Sequence, residues 1–319
     1  MRRRESEQSL EDKTIYLLCL IVAALCGCGL FVYSARRAGH KGKVLWLPPL
    51  MAIGFGFLCA RLFHFLVHVD VLLPNYGWAR FFDIDLRGLA FGGALTGLLL
   101  SGLICALYLQ KPIHQLLDLL APAGLLTLGL ARLGEFYIDF GQGSYVENPS
   151  LHFFPLSVVN GWGEWYFAIF MLEALFALAT LLYVLKRRPA EPGALWQTGL
   201  MVILCSQILC ESLRADTLRW GFVRVHQLFC ALGLVALLAN YLRLAKHGGR
   251  RVVKLLYLPA LFILGVVLII GIEFALDKWQ EMPNLLLYAI MVLTLIMMGL
   301  VIRKAGCLAK APNQQISGS

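Results

Sequence analysis

Long blocks of apolar residues, unbroken by charge, constrain this chain more than any other feature. A run of about 18 or more such residues matches the thickness of a bilayer when helical. Within hydrocarbon, only a helix or a closed barrel satisfies every backbone polar group. The blocks are apolar all round rather than striped, as lipid-facing helices are. Composition agrees: of 319 residues 59% are hydrophobic and 15% charged, against roughly 25% charged in a soluble domain. The fold class expected is an all-α polytopic transmembrane helical bundle.

Nine spans are predicted, at 14–34, 45–68, 88–109, 113–133, 164–185, 195–212, 226–245, 253–275 and 284–302. Residues 1–13 read as an N-terminal tail, 14–245 as the main membrane domain, 246–304 as an additional two-helix membrane extension, and 305–319 as a polar C-terminal tail. The first run is too long for a signal-peptide core and no small-residue cleavage site follows, so it reads as a retained span. The segment 134–163, rich in Gly, Asn and aromatics, reads as a small extracytoplasmic head.

Basic residues set the orientation. Arg36, Arg37, Lys41 and Lys43 follow span one, and Lys111 follows span three. Lys186, Arg187 and Arg188 follow span five; Arg243, Lys246, Arg250, Arg251 and Lys254 follow span seven; Arg303, Lys304 and Lys310 follow span nine. Alternating spans put all of these on one face, the cytoplasmic one, leaving the N-terminus outside and the C-terminus inside. Arg2, Arg3 and Arg4 run against that pattern. The last two spans are plain apolar helices separated by Asp277, Lys278, Gln280 and Glu281.

The net charge of +9 clusters at span ends, which points to a membrane surface and not to nucleic acid. Eight of the nine cysteines sit in or beside apolar runs, with no Cys-x-x-Cys or Cys/His ligand spacing. They read as small buried hydrophobes, and no metal and no cofactor are expected.

Ionisable groups at membrane depth are costly and therefore candidates for function. Arg61, Arg132, Glu173, Glu211, Arg214 and Asp216 are such groups, and His226-Gln227 opens span seven. Each has a structural alternative: Arg61 and Glu173 as interhelical locks, His226 as an interface residue, and Glu135 and Asp139 as neutralisers of Arg132. The glycines from Gly88 to Gly97 permit close helix packing or close approach of a ligand. Arginines converging at one membrane face make a phosphate cradle, because guanidinium matches phosphate bidentately.

Taken in order, these motifs resemble the prolipoprotein diacylglyceryl transferase family. Ile15-Tyr16 with Ala35-Arg36-Arg37-Ala38-Gly39 is similar to the family's first span and basic loop. Cys59-Ala60-Arg61-Leu62-Phe63 is similar to Gly-Ala-Arg-Leu-Tyr, and Gly88 to Gly97 to Gly-Gly-Leu…His-Gly-Gly-x-x-Gly. Leu117 to Pro122 with Ala131-Arg132-Leu133-Gly134-Glu135-Phe136 is similar to the signature. Glu211 to Leu218 and Arg224 to Leu228 are similar to the last helix motifs.

The resemblance implies a transferase of lipoprotein biosynthesis in a bacterial plasma membrane. It moves diacylglyceryl from phosphatidylglycerol to the lipobox cysteine of a preprolipoprotein signal peptide and releases glycerol phosphate. Arg132 and Arg214 would then stabilise the leaving phosphate and Glu211 would orient an arginine; the motifs identify no general base, and Glu135, itself a departure from the family, is the candidate substitute if burial raises its pKa toward neutrality. Tyr16, Arg61, Gly92, Gly93, Gly134, Asp139, Glu173, Asp216 and Gln227 are the implied substrate-binding residues.

The chain departs from the family pattern at several positions: Phe91 stands where the histidine before Gly-Gly falls, Glu135 where asparagine falls, Phe167 where a second histidine falls, and Gln207 where an arginine falls. A lipid-binding or scaffolding protein that kept the fold without the chemistry is the alternative. A solute transporter is disfavoured by the lack of an inverted repeat.

Overall fold

The computed structural model describes residues 2–82, 88–187, 191–221, 223–247, 256–278 and 283–310. Arg188, Arg250, Arg251, Lys254, Gln280 and Glu281, and positions 311–319 of the C-terminal tail, lie outside them.

Among the described residues, nine helices are long and apolar enough to cross a bilayer: Glu11–Arg37, Lys43–Val67, Phe91–Leu109, Ile113–Ile138, Ile169–Lys186, Ala194–Leu213, Val225–His247, Tyr257–Lys278 and Asn284–Ala309. The protein is a multi-pass, all-α membrane protein. Numbered in chain order, the helices are α1 (Arg2–Arg37), α2 (Lys43–Val67), α3 (Val69–Tyr76), α4 (Ala79–Phe82), α5 (Phe91–Leu109), α6 (Ile113–Gly134), α7 (Ile169–Lys186), α8 (Ala194–Leu213), α9 (Val225–His247), α10 (Tyr257–Lys278) and α11 (Asn284–Lys310).

Three boundaries differ most from the sequence expectation, one of them the end of α11, which reaches Lys310 rather than 302. Helix α1 runs back through the predicted N-terminal tail to Arg2, because Glu, Gln, Lys and Arg there are good helix formers that extend a nucleated helix. The fifth span begins at Ile169 rather than 164, because Trp165–Phe167 forms a strand. Aromatic and β-branched residues face each other there, and cross-strand pairing outweighs their helix preference.

The chain forms two compact units, Met1–Ile203 with Leu213–His226, and Leu204–Ser212 with Gln227–Ser319. The boundary between these units falls inside α8 and at the start of α9.

In the first unit, α1, α2 and α6 share a core of Phe31, Val32, Ala35, Leu45, Leu117, Leu120 and Ala123. Helices α2 and α5 approach backbone to backbone. A Cβ at Gly93 would overlap the Cys59 carbonyl, and one at Gly97 would overlap the Phe55 carbonyl. This is small-residue packing at i and i+4, the means by which membrane helices gain contact without a hydrophobic drive. The backbone of α2 fills the space beside Gly93.

Asp118 of α6 caps α8. It accepts the N–H groups of Gly193, Leu195 and Trp196 at 2.6, 3.0 and 2.9 Å, satisfying donors that a helix start leaves free. The lipid-facing sides carry residues such as Leu25, Leu107 and Leu175, each more than 60% exposed.

The head between α6 and α7 is compact. After a 3₁₀ turn at Glu135–Ile138, strands β1 (Ser157–Val159) and β2 (Trp165–Phe167) pair antiparallel. Asn160 Oδ1 closes their turn, accepting from Trp162 and Glu164 N–H. His152 stacks on Trp165 at 4.8 Å between centroids, and Val158, Ala168 and Phe170 form a small core beneath.

In the second unit α10 packs along α11, with Met298 filling the space over Gly265. Cys105, Cys210 and Cys230 are buried as expected, whereas Cys26 faces outward.

Candidate functional site

The end of α6, the start of α7 and the segment after α8 bring five charged side chains together. Arg132 lies in the last turn of α6, where a cation complements the helix dipole. Its Nη1 donates to Glu135 Oε1, and its Nε lies 2.7 Å from Glu173 Oε2, an ion-pair contact and not an aligned hydrogen bond. Arg214 Nη1 lies 3.3 and 3.2 Å from the two oxygens of Glu173, while its Nε and Nη2 donate to Asp216 at 2.9 and 3.2 Å. The ring closes where Arg214 Nη1 comes within 3.8 Å of Glu135 Oε2. Arg132, Glu135, Glu173 and Arg214 are all under 10% exposed.

Two guanidiniums thus face three carboxylates in a largely buried site. Pairing is what makes such burial tolerable, since an isolated buried charge costs several kcal/mol or more. Burial works against the charge of Arg214, but Glu173, Glu135 and Asp216 outweigh it and hold its pKa well above the ordinary value. Arg214 is therefore a permanent cation.

The backbone fixes this arrangement. Gly141 N–H donates to Asp216 Oδ2 at 2.7 Å, and Ala215 N–H donates to the Gln142 carbonyl at 2.9 Å. The Phe140 ring lies 4.9 Å under the Arg214 guanidinium, within cation–π range.

Two atoms are left over. Glu135 Oε2 is buried and takes no hydrogen bond among the described residues. Arg132 engages its Nη1 and Nε, and its Nη2 has no partner among the described residues. An acceptor and a donor therefore remain on neighbouring side chains. All three nitrogens of Arg214 are engaged.

Tyr16 is buried on α1 and lies in the field of Glu135, Arg132 and Arg214. Gly134 lets α1 pass close by: a Cβ there would stand 2.8 Å from Cys19 Cβ and 3.2 Å from the Tyr16 ring.

The contacts of the other predicted residues are these. Arg61 Nε donates to the Phe81 carbonyl at 3.3 Å, and its guanidinium occupies the space over Gly88 beside His64. Asp139 adopts a left-handed conformation and is exposed, 3.4 Å from Gln142 Nε2. Asp216 is the acid that grips Arg214. Gly92 accepts from the Thr96 hydroxyl within α5. Glu211 and Gln227 belong to the second unit, Glu211 buried near the end of α8 and Gln227 bonded to Ile208 and Glu273. Asp118 and Glu273 were missed as candidates. Both are acids inside apolar spans, and the signal that singled out Glu173 would have found them.

The sequence model of the family described as prolipoprotein diacylglyceryl transferase matches residues 12–243. The chain is 26% identical over 203 residues to the phosphatidylglycerol–prolipoprotein diacylglyceryl transferase of Clostridium novyi, covering 61% of this chain and 78% of that one. It is 28% identical over 240 residues to the enzyme of that name from Clostridium kluyveri, covering 74% and 93%. It is 26% identical over 242 residues to that of Bacillus cytotoxicus, covering 74% and 88%.

Proposed function

As the chain belongs to the prolipoprotein diacylglyceryl transferase family, we propose that it transfers diacylglyceryl from phosphatidylglycerol to the lipobox cysteine of a preprolipoprotein. The observation that carries the reading at this site is the pair of atoms without a hydrogen bond, Glu135 Oε2 and Arg132 Nη2, in the charged ring.

In this reading Glu135 Oε2 takes the proton of the acceptor thiol, since the thiolate is the nucleophile. The sulfur forms a bond to the terminal glyceryl carbon as the bond from that carbon to the phosphate oxygen breaks. Glycerol phosphate leaves with an added negative charge, which Arg132 Nη2 meets. Glu173, Arg214 and Asp216 hold those two groups in place, and Tyr16 lies beside them to hydrogen-bond the lipid. The thioether product keeps the diacylglyceryl group in the bilayer.

Residues 14–245 form the transferase-like membrane domain in this proposal, and 246–304 the additional two-helix extension. The protein lies in a bacterial plasma membrane with the N-terminus and the charged ring outside. The basic residues Arg36, Arg37, Lys111, Lys186 and Arg187, at the ends of their spans away from the charged ring, support that orientation.

The test is direct. Membranes containing the protein are given labelled phosphatidylglycerol and a lipobox peptide. Label should move to the peptide thiol, and not when the cysteine is replaced by serine. No transfer, where a family enzyme works under the same conditions, refutes the proposal.

A further inference from the structure

Residues 214–224 join α8 to α9, and so short a link between two spans stays at the bilayer surface. Within it β3 (Arg219–Trp220) and β4 (Val223–Arg224) pair antiparallel in a tight hairpin, with Gly221 at φ 60° in the turn. The hairpin belongs to the first compact unit, as do Arg214 and Asp216.

The register sets two arginines against each other. Arg219 is the direct partner of Arg224, and Trp220 that of Val223. Val225 N–H donates to the Leu218 carbonyl at 2.9 Å, which makes residues 218 and 225 a hydrogen-bonded pair. Such pairs alternate along an antiparallel ladder with narrower ones. Arg219 and Arg224 are thus a narrow pair, whose side chains share one face and come closest. Like charges directly opposite destabilise a ladder, and strands of two residues have little with which to offset that. Arg219 Nε donates to Thr217 Oγ1 at 3.1 Å, a contact that brings no negative charge. The only acid in 214–226 is Asp216, and Arg214 and Gly141 hold it.

Two further observations point to lipid. The hairpin follows Arg214 and Asp216 of the charged ring, whereas Arg36, Lys111 and Lys186 lie at the span ends away from it. Its arginines therefore run against the bias that gathers cations on one side of a membrane. Trp220, on the opposite face of the hairpin, is 73% exposed. An indole, apolar in its body with one N–H donor, suits the headgroup layer.

We infer that the hairpin is a docking site for an anionic phospholipid: Arg219 and Arg224 share one lipid phosphate, and Trp220 sits in the headgroup layer beside it. A phosphodiester carries one negative charge over two free oxygens, one for each guanidinium. The repulsion across the pair becomes a bridge. Phosphatidylcholine offers the same diester with its charge cancelled by choline, so an anionic lipid is preferred. Docking needs only a bilayer, and it holds whether or not the charged ring carries out transfer.

The experiment follows hydrogen exchange of residues 217–225 in the full-length protein, in nanodiscs of phosphatidylcholine with rising fractions of phosphatidylglycerol or phosphatidylserine. Either anionic lipid should slow exchange. Arg219→Gln and Arg224→Gln should each raise the fraction needed for half the effect about fivefold, the worth of one arginine at an anionic surface. The double variant should lose the effect, and in phosphatidylcholine alone it should exchange more slowly than wild type, its repulsion gone. Exchange in α6 reports whether each variant is folded. Arg219→Lys and Arg224→Lys keep the charge without the fork and should retain part of the effect, so they serve if a glutamine variant fails to fold.

Equal protection in phosphatidylcholine alone, or full protection in the double variant, overturns the inference. Protection by phosphatidylglycerol and not by phosphatidylserine assigns the lipid to the charged ring and overturns it too. Free glycerol phosphate is added to phosphatidylcholine discs as a further arm. If it protects as well as the lipids do, the site takes free phosphate and not a lipid. Labelled transfer is measured in parallel: protection without turnover refutes the proposed function and leaves the docking site standing.

Discussion

Arg214 Nη1 lies 3.2 Å from Glu173 Oε2, joining positions 41 residues apart in the chain. Glu173 also meets Arg132 at 2.7 Å, so one carboxylate serves two guanidiniums from different segments. Glu173→Ala should leave two buried cations under-compensated and cost about 3–5 kcal/mol of stability. Unfolding by denaturant or heat in detergent would show it, with transfer lost as well. Near-wild-type stability would mean the ring is not structural.

Arg132→Ala should lower transfer by about 100–1,000-fold, the usual scale for losing a group that meets developing negative charge. Arg132→Lys keeps a charge but not the planar fork that reaches Glu135 and Glu173 together, and should recover little. The readout is labelled diacylglyceryl on the peptide thiol. Equal activity of the lysine variant would point to charge alone.

Glu135→Gln keeps the shape of the side chain and removes its proton acceptor. Transfer should fall by about 100–10,000-fold, the range for general-base catalysis, with phosphatidylglycerol affinity little changed. A peptide carrying a more acidic thiol, or assay at higher pH, should restore part of the rate. No recovery under either condition would assign Glu135 to holding Arg132 and not to proton transfer.

Gly93→Leu drives a side chain into the Cys59 carbonyl across the α2–α5 contact. Backbone cannot yield as a side-chain tip does, so the cost should reach at least the upper part of the usual range of about 1–3 kcal/mol for overpacking. Folded protein recovered from membranes should fall sharply. Full recovery would show that the helices separate easily.

Asp118→Ala removes the acceptor that three N–H groups at the start of α8 share. Loss of a cap costs about 0.5–2 kcal/mol, and the upper end is expected with three donors involved. Asp118→Asn should retain about half of it, since one carbonyl oxygen remains. Thermal unfolding of the three proteins side by side tests the order.

The sequence alone determined the solvent and the number of spans. Bilayer thickness and the need to satisfy every backbone group leave a long apolar run one structure, so spans could be placed to within a few residues. The same reasoning singled out Arg132, Glu173 and Arg214, because charge at membrane depth is costly wherever the helices sit. Which charges meet was a different matter. Asp139 and Asp216 look alike in sequence, yet a left-handed turn sends Asp139 outward while Gly141 and Arg214 draw Asp216 in. Gly93 reads as a packing position more readily than a substrate one, and the backbone of α2 is seen beside it. Glu273, far along the chain from Gln227, became legible only through their contact. A local cost such as desolvation is written in each residue's neighbours in the chain. A pairing is written in the path of the helices, and only the tertiary structure decides that.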